Sequence, residues 1–361
     1  MKKKCRFVGI MFLCIIIVCT VLVMIYERAT NNNTKENENF TVVTSFYPMY
    51  IAALNIVDGA DGVTLENLSE PQTGCLHDFQ LTPEDMKLLS TADLFVINGG
   101  GIESFMSDVA KAYPDLTVVE ACKNVELINE SEEDVDTHDH DNEADSDETD
   151  HDHDNEAGSD ETDHDHDNEA DSDETDHDHE TDSDESGHDH DHGDENAHAW
   201  MSVARYRVMV STIAESLSKA DPSNAAIYDS NAKKYDAKLA ELEEKEKEIK
   251  QKTAGNDIII FHEAYEYVAD DFGMNVCYLM DLDEERAVSA GEVSDVINAV
   301  RNDGVSVILA EELYGKDLGD TVSRETDVKM VYIDPLNRGN YDKNSYIEGM
   351  EKNFELIEAA F

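Results

Sequence analysis

Residues 130–196 of this 361-residue chain cannot build a hydrophobic core, which leaves any fold to the segments on either side of them. The stretch holds 34 Asp and Glu, no Lys or Arg, and 11 of the chain's 14 histidines. It is a repeat. His138, His151, His164 and His177 each open an HDH triplet, 13 residues apart, in the unit HDHDNEADSDETD. With almost nothing apolar to bury and strong self-repulsion, it cannot offset its ordering entropy, so a disordered loop is expected. The period is also too short and too polar for a solenoid unit. Such triplets suit weak, exchangeable binding of divalent ions, which should fade below about pH 6 as the imidazoles protonate. A formal net charge of −56 excludes a nucleic-acid binder.

The N-terminus reads as an address. Lys2, Lys3, Lys4 and Arg6 precede an uncharged apolar run from Phe7 to Tyr26, the pattern of a long export signal or an uncleaved anchor. At about 1.5 Å per residue that run just spans a bilayer. Cys14 and Cys19 are conceivable lipid-anchor positions, although the bulky Leu13 and Val18 precede them. Residues 1–26 are therefore assigned to a signal or membrane anchor and residues 27–40 to a polar tether. The rest is expected outside the cytoplasm, held at the outer face of the membrane, or periplasmic if the signal is cleaved. Beyond the anchor, Cys75, Cys122 and Cys277 allow at most one disulfide, and no C-x-x-C spacing occurs.

On both sides of the tract, short β-branched runs alternate with amphipathic stretches. Strands are predicted at Thr41–Ser45, Val63–Glu66, Leu94–Ile97 and Leu116–Val119, then at Ile258–Phe261, Val276–Leu279, Val305–Leu309 and Met330–Ile333. Helices are predicted over Pro83–Ser90, capped by Thr82, and over Ser289–Arg301, apolar at Val293, Val296, Ile297 and Val300. This alternation predicts an α/β protein of two lobes with largely parallel sheets. The N-terminal lobe would cover 41–221, interrupted by the tract, and the C-terminal lobe 253–361. Between them, residues 222–252 have no Gly or internal Pro. Glu241 with Lys245, and Glu243 with Lys247, stand four apart there. One long exposed helix of about 45 Å is expected to join the lobes and to resist large closure.

Only His77, His198 and His262 lie outside the tract. His77 sits in a loop between a strand and a helix, His198 where the tract ends, and His262 directly after a predicted strand. Glu311 and Asp334 also follow predicted strands, at the carboxyl edge where open α/β sheets bind ligands. Singly, each histidine suits an ordinary packed or solvent-facing role. Jointly, three imidazoles with a carboxylate would suit zinc. Composition alone leaves both readings open.

Several blocks resemble the solute-binding components of ATP-driven (ABC) zinc importers, the ZnuA-like family. Gly74-Cys-Leu-His77-Asp-Phe-Gln-Leu-Thr-Pro83-Glu-Asp is similar to that family's first-histidine motif, and Ala92–Met106 continues it. Asn196-Ala-His198-Ala-Trp-Met-Ser202 resembles the second block and Phe261-His262-Glu-Ala-Tyr-Glu-Tyr267 the third. Ala310-Glu311 and Ile333-Asp334-Pro335-Leu336 are similar to two more, and an acidic His-rich insertion before the second histidine is a family habit. Val203 where Pro is usual, Leu76 where some members are acidic, and Glu312 after Ala310-Glu311 depart from the pattern.

The resemblance implies a metal-type periplasmic-binding-protein fold with a long backbone helix. It implies a binding protein rather than an enzyme, with Zn²⁺ as transported ligand and a membrane permease of the ABC type as partner. His77, His198 and His262 would be ligands, with Asp334 as fourth, ahead of water and Glu311; Glu311 could instead orient an imidazole. A histidine at position 262 favours zinc over manganese. Asp78 and Glu263, each following a ligand, could likewise orient an imidazole, with solvent exposure the favoured expectation. Alternative readings are a zinc hydrolase or hydratase with an open fourth position, and a metal buffer acting mainly through the tract.

Overall fold

The computed structural model describes residues 39–70, 75–77, 79–129, 195–282 and 286–361. The expected anchor, all but the last residues of the tether, Asp78, and the tract up to residue 194 lie outside them. The described residues belong to one compact unit.

Its elements run β1 (Phe40–Thr44), α1 (Tyr47–Ile56), β2 (Val63–Asn67), α2 (Pro83–Leu89), β3 (Leu94–Ile97), α3 (Met106–Ala112), β4 (Thr117–Glu120), β5 (Ile128–Asn129) and β6 (Glu195–Asn196). There follow α4 (Val203–Ala220), α5 (Ala225–Thr253), β7 (Asp257–Ile260), α6 (Tyr265–Phe272), β8 (Asn275–Leu279), α7 (Ala290–Asp303), β9 (Val307–Ala310), α8 (Glu312–Glu325), β10 (Lys329–Tyr332) and α9 (Ser345–Glu358).

Two four-stranded parallel sheets result, in the orders β2-β1-β3-β4 and β10-β9-β7-β8. Read from its own first strand, each sheet winds identically: the second strand lies on one side of the first and the third on the other. Each therefore has a switch point where two successive crossovers part and leave a crevice at the carboxyl edge. The eight strands expected from sequence are all present, within two residues. β3, β7 and β9 are buried almost throughout, as runs of Leu, Phe, Val and Ile covered on both faces should be. Thr82 and Ser289 cap α2 and α7 with reciprocal capping boxes.

Several expectations change in detail. The linking helix starts at Ala225, because Asp221 folds the preceding residues into a turn in which its carboxylate accepts from Ser223 and Asn224. It is not exposed all round. Tyr228, Tyr235, Leu239, Leu242 and Ile249 form a buried stripe against α4 and α9, which a charge-rich surface face hid from simple composition. The Glu243–Lys247 pair forms at 2.9 Å, whereas Lys245 turns to Glu351 of α9. Finally, Glu195 and Asn196, counted with the tract on polarity, pair as β6 with β5, and β1 begins at Phe40 rather than beyond the tether.

One apolar cluster runs from Val42 and Phe95 in the first sheet, through Tyr206 and Met209 of α4, to Ile258, Leu309 and Tyr346. A smaller one fills the outer side of the second sheet around Ile308 and Val322. Because the larger core is continuous across the linking helices, the two sheets are held by packing and not only by a covalent connector.

Candidate metal centre

Each histidine outside the tract leaves the end of a regular element. His77 lies in the loop between β2 and α2, His198 two residues beyond β6, and His262 two beyond β7, at the second sheet's switch point. His77 Nε2 lies 3.4 Å from His198 Nε2. The His198 and His262 ring centres are 5.0 Å apart, in edge-to-face arrangement. His198 and His262 are fully buried and His77 is half-buried. Residues separated by 185 positions thus meet around His198.

Burial is the main cause of the electrostatics here. It pushes the pKa of His198 far below the ordinary imidazole value, with His262 and His77 adding to the effect. His262 is lowered to about 3, again by burial first, then by His77 and Arg338. Both rings are therefore neutral near pH 7, the form whose lone pair ligates a metal. Neither nitrogen of His262 has a hydrogen-bond partner among the described residues, although the ring is fully buried. An uncompensated buried polar group costs roughly 1–3 kcal/mol, and so rare an arrangement calls for a ligand.

Two sets of ligand atoms lie within 4.8 Å of one another among the described residues: Cys75, His198 and His262; and His77, His198 and Glu263. The sequence gives Cys75 no place at the site and favours solvent for Glu263 over a role beside an imidazole. The Glu263 carboxylate instead stands 3.5 Å from His77 Nε2 and 3.2 Å from His198 Nδ1. It is turned inward because residues 262–264 form a tight turn into α6, while Asn196 Nδ2 donates to the Glu263 carbonyl. The only sequence signal for either residue was its place within two positions of a histidine.

Asp334 belongs to neither set. It follows β10 as expected, but its Oδ1 accepts from the Leu336 N–H at 2.8 Å, in a turn where Leu336 has φ 54°. Burial raises its pKa above the usual carboxylate value. Glu311, after β9, is buried and pairs with Arg338 at 3.0 Å. The three cysteines of the described residues are thiols, so the disulfide that sequence allowed is not made.

Asn196 settles which nitrogen His198 offers. Its Oδ1 lies 3.0 Å from both the backbone N–H and Nδ1 of His198, and its Nδ2 donates to the Glu263 carbonyl and the Glu266 carboxylate. With Nδ1–H directed to that amide oxygen, Nε2 faces His77 with its lone pair. The first sheet holds the same segment: Asn98 Nδ2 donates to Ala197 O at 2.9 Å, and buried Glu103 accepts from the backbone of Asn98 and Gly99. Gly100, at φ 67°, lets this loop close on Ala197, whose Cβ would sit 3.2 Å from a side chain there. Removing the amide in Asn196→Ala is expected to weaken zinc binding by about 10- to 100-fold, the range for groups that orient a ligating imidazole. Competition against a chromophoric chelator measures it; an unchanged affinity would show that Asn196 does not orient the ring.

A family model described as zinc-uptake complex component A, periplasmic, matches residues 42–360. The chain is 25% identical over 352 residues to the high-affinity zinc uptake system protein ZnuA of Bacillus subtilis, covering 95% of each. It is 28% identical over 331 residues to the zinc-binding protein AdcA of Streptococcus pyogenes, where it spans 88% of itself but only 55% of that longer protein. In fold it is similar to the solute-binding protein FpvC of Pseudomonas aeruginosa, solved with Mn²⁺, at a TM-score of 0.65 and 22% identity, covering 90% of this chain and 98% of that one.

Proposed function

The chain belongs to the zinc-uptake complex component A family, and from that premise we propose that it captures Zn²⁺ between its two sheets and delivers it to an ABC permease. The ion is cargo, held by the imidazoles of His77, His198 and His262. The observation that carries this reading is His262, fully buried with both nitrogens unpartnered beside His198. Ligands drawn from a loop of the first sheet, the β6 segment and the second sheet suit a site that small shifts between the sheets could open. The strongly acidic chain raises the local concentration of dications around it.

The tract serves as a collector of weakly held metal beside the tight site, raising its effective concentration. Its two ends emerge from the paired strands β5 and β6, so the site should not depend on what lies between them. Replacing residues 131–193 with a short Gly/Ser linker is expected to leave one tightly bound zinc per chain. Calorimetry before and after the deletion tests this. Loss of the tight site would transfer the function to the tract and leave the protein a metal buffer.

A further inference from the structure

We propose that the Cys75 thiolate is a fourth protein ligand to the zinc, completing a shell of His77, His198, His262 and sulfur in place of a carboxylate. This rests on the zinc-capture reading and makes it specific. For tetrahedral zinc with Zn–N of about 2.05 Å and Zn–S of about 2.3 Å, N···N edges come to roughly 3.4 Å and N···S edges to roughly 3.6 Å. His77 Nε2 lies 3.4 Å, and Cys75 Sγ 3.5 Å, from His198 Nε2. Both contacts converge on the nitrogen that Asn196 leaves with its lone pair outward, whereas Glu263 approaches the other nitrogen of the ring. Cys75 also joins His198 and the unpartnered His262 within 4.8 Å.

A second contact suits an anionic sulfur. The buried Asn337 directs Nδ2 at Cys75 Sγ, 2.9 Å away. Asp334, in contrast, commits an oxygen to the Leu336 backbone. When zinc binds, the Zn–S bond replaces the S–H bond and the proton leaves to solvent. A sulfur ligand closes the position that hydrolytic chemistry would need. It also biases the site toward zinc over manganese, which prefers oxygen.

One equivalent of Co²⁺, a spectroscopic substitute for zinc, added to the full-length protein tests the assignment. Wild type should show a near-ultraviolet sulfur-to-cobalt charge-transfer band. Cys75→Ala and Cys75→Ser should lose it and bind zinc at least tenfold more weakly while still binding one metal, and Asp334→Ala should keep it. Cobalt bound by wild type without that band, or zinc held equally well by Cys75→Ala, would overturn the sulfur ligand and leave the three-imidazole site standing. A band lost in Asp334→Ala but kept in both Cys75 variants would also overturn it. Failure of wild type to bind one tight metal would overturn the zinc-capture reading itself.

Discussion

Replacing His198 with alanine is expected to weaken zinc binding by more than about 100-fold, beyond the effect of groups that only orient a ligand. The reason is position. His198 is the one residue shared by both sets of neighbouring ligand atoms, and its Nε2 lies against both Cys75 and His77. His262→Ala should follow closely, because a fully buried ring cannot be replaced by solvent without opening a cavity. His77→Ala should have the smallest effect of the three, since His77 is half-exposed and a water can take its place. Chelator competition on the three variants gives the ranking directly. Three equal, small losses would mean that the histidines act separately and that no common centre exists.

The second large effect concerns the metal-free protein and pH. An unfolded imidazole takes up a proton near pH 6.5, whereas His262 in the folded chain stays neutral down to about pH 3. Between those values the unfolded state binds more protons, so stability falls as pH falls. Buried carboxylates act in the opposite sense. Glu103 is raised to about 7 by burial, and Glu246 and Asp271 form a desolvated acidic pair, so these groups favour the folded state as pH drops. The net profile of wild type mixes both trends.

Comparison with His262→Leu separates them, since the carboxylates are common to the two chains. At pH 8 the variant should be at least as stable as metal-free wild type, because it no longer buries two unpartnered nitrogens. Below pH 6.5 wild type should lose roughly 1 kcal/mol relative to the variant for each pH unit. Urea unfolding of both chains at pH 8, 6 and 5 provides the measurement. A difference that does not change with pH would mean that His262 is solvated in the folded protein.

The legible parts of this molecule were those written locally. Eight strands announced themselves as β-branched runs between turn residues, α2 by Thr82 before its first helical turn and α7 by its apolar spacing. The long α5 was visible in its freedom from Gly and Pro, but its buried stripe was not, because Tyr228, Tyr235 and Leu239 are embedded among charges that face outward. The β5–β6 pair is two residues long and joins segments on either side of the tract, so nothing in its own sequence marks it. The histidines could be found by their rarity outside the tract. Their neighbours could not be sorted the same way. Whether Cys75 or Glu263 points inward depends on Asn337 and Asn196, which are contacts between distant stretches of chain, and for Glu263 also on the local turn into α6. Asp334 looked equivalent to the other residues that follow strands until the Leu336 turn took one of its oxygens.

The most direct measurement is anomalous diffraction at the zinc edge from crystals of the protein carrying one equivalent of zinc. The result expected is a single peak about 2.0–2.1 Å from His198 Nε2, His77 Nε2 and one nitrogen of His262. A peak that omits His262, or zinc found only on histidines of the tract, would contradict a shared three-imidazole centre between the two sheets.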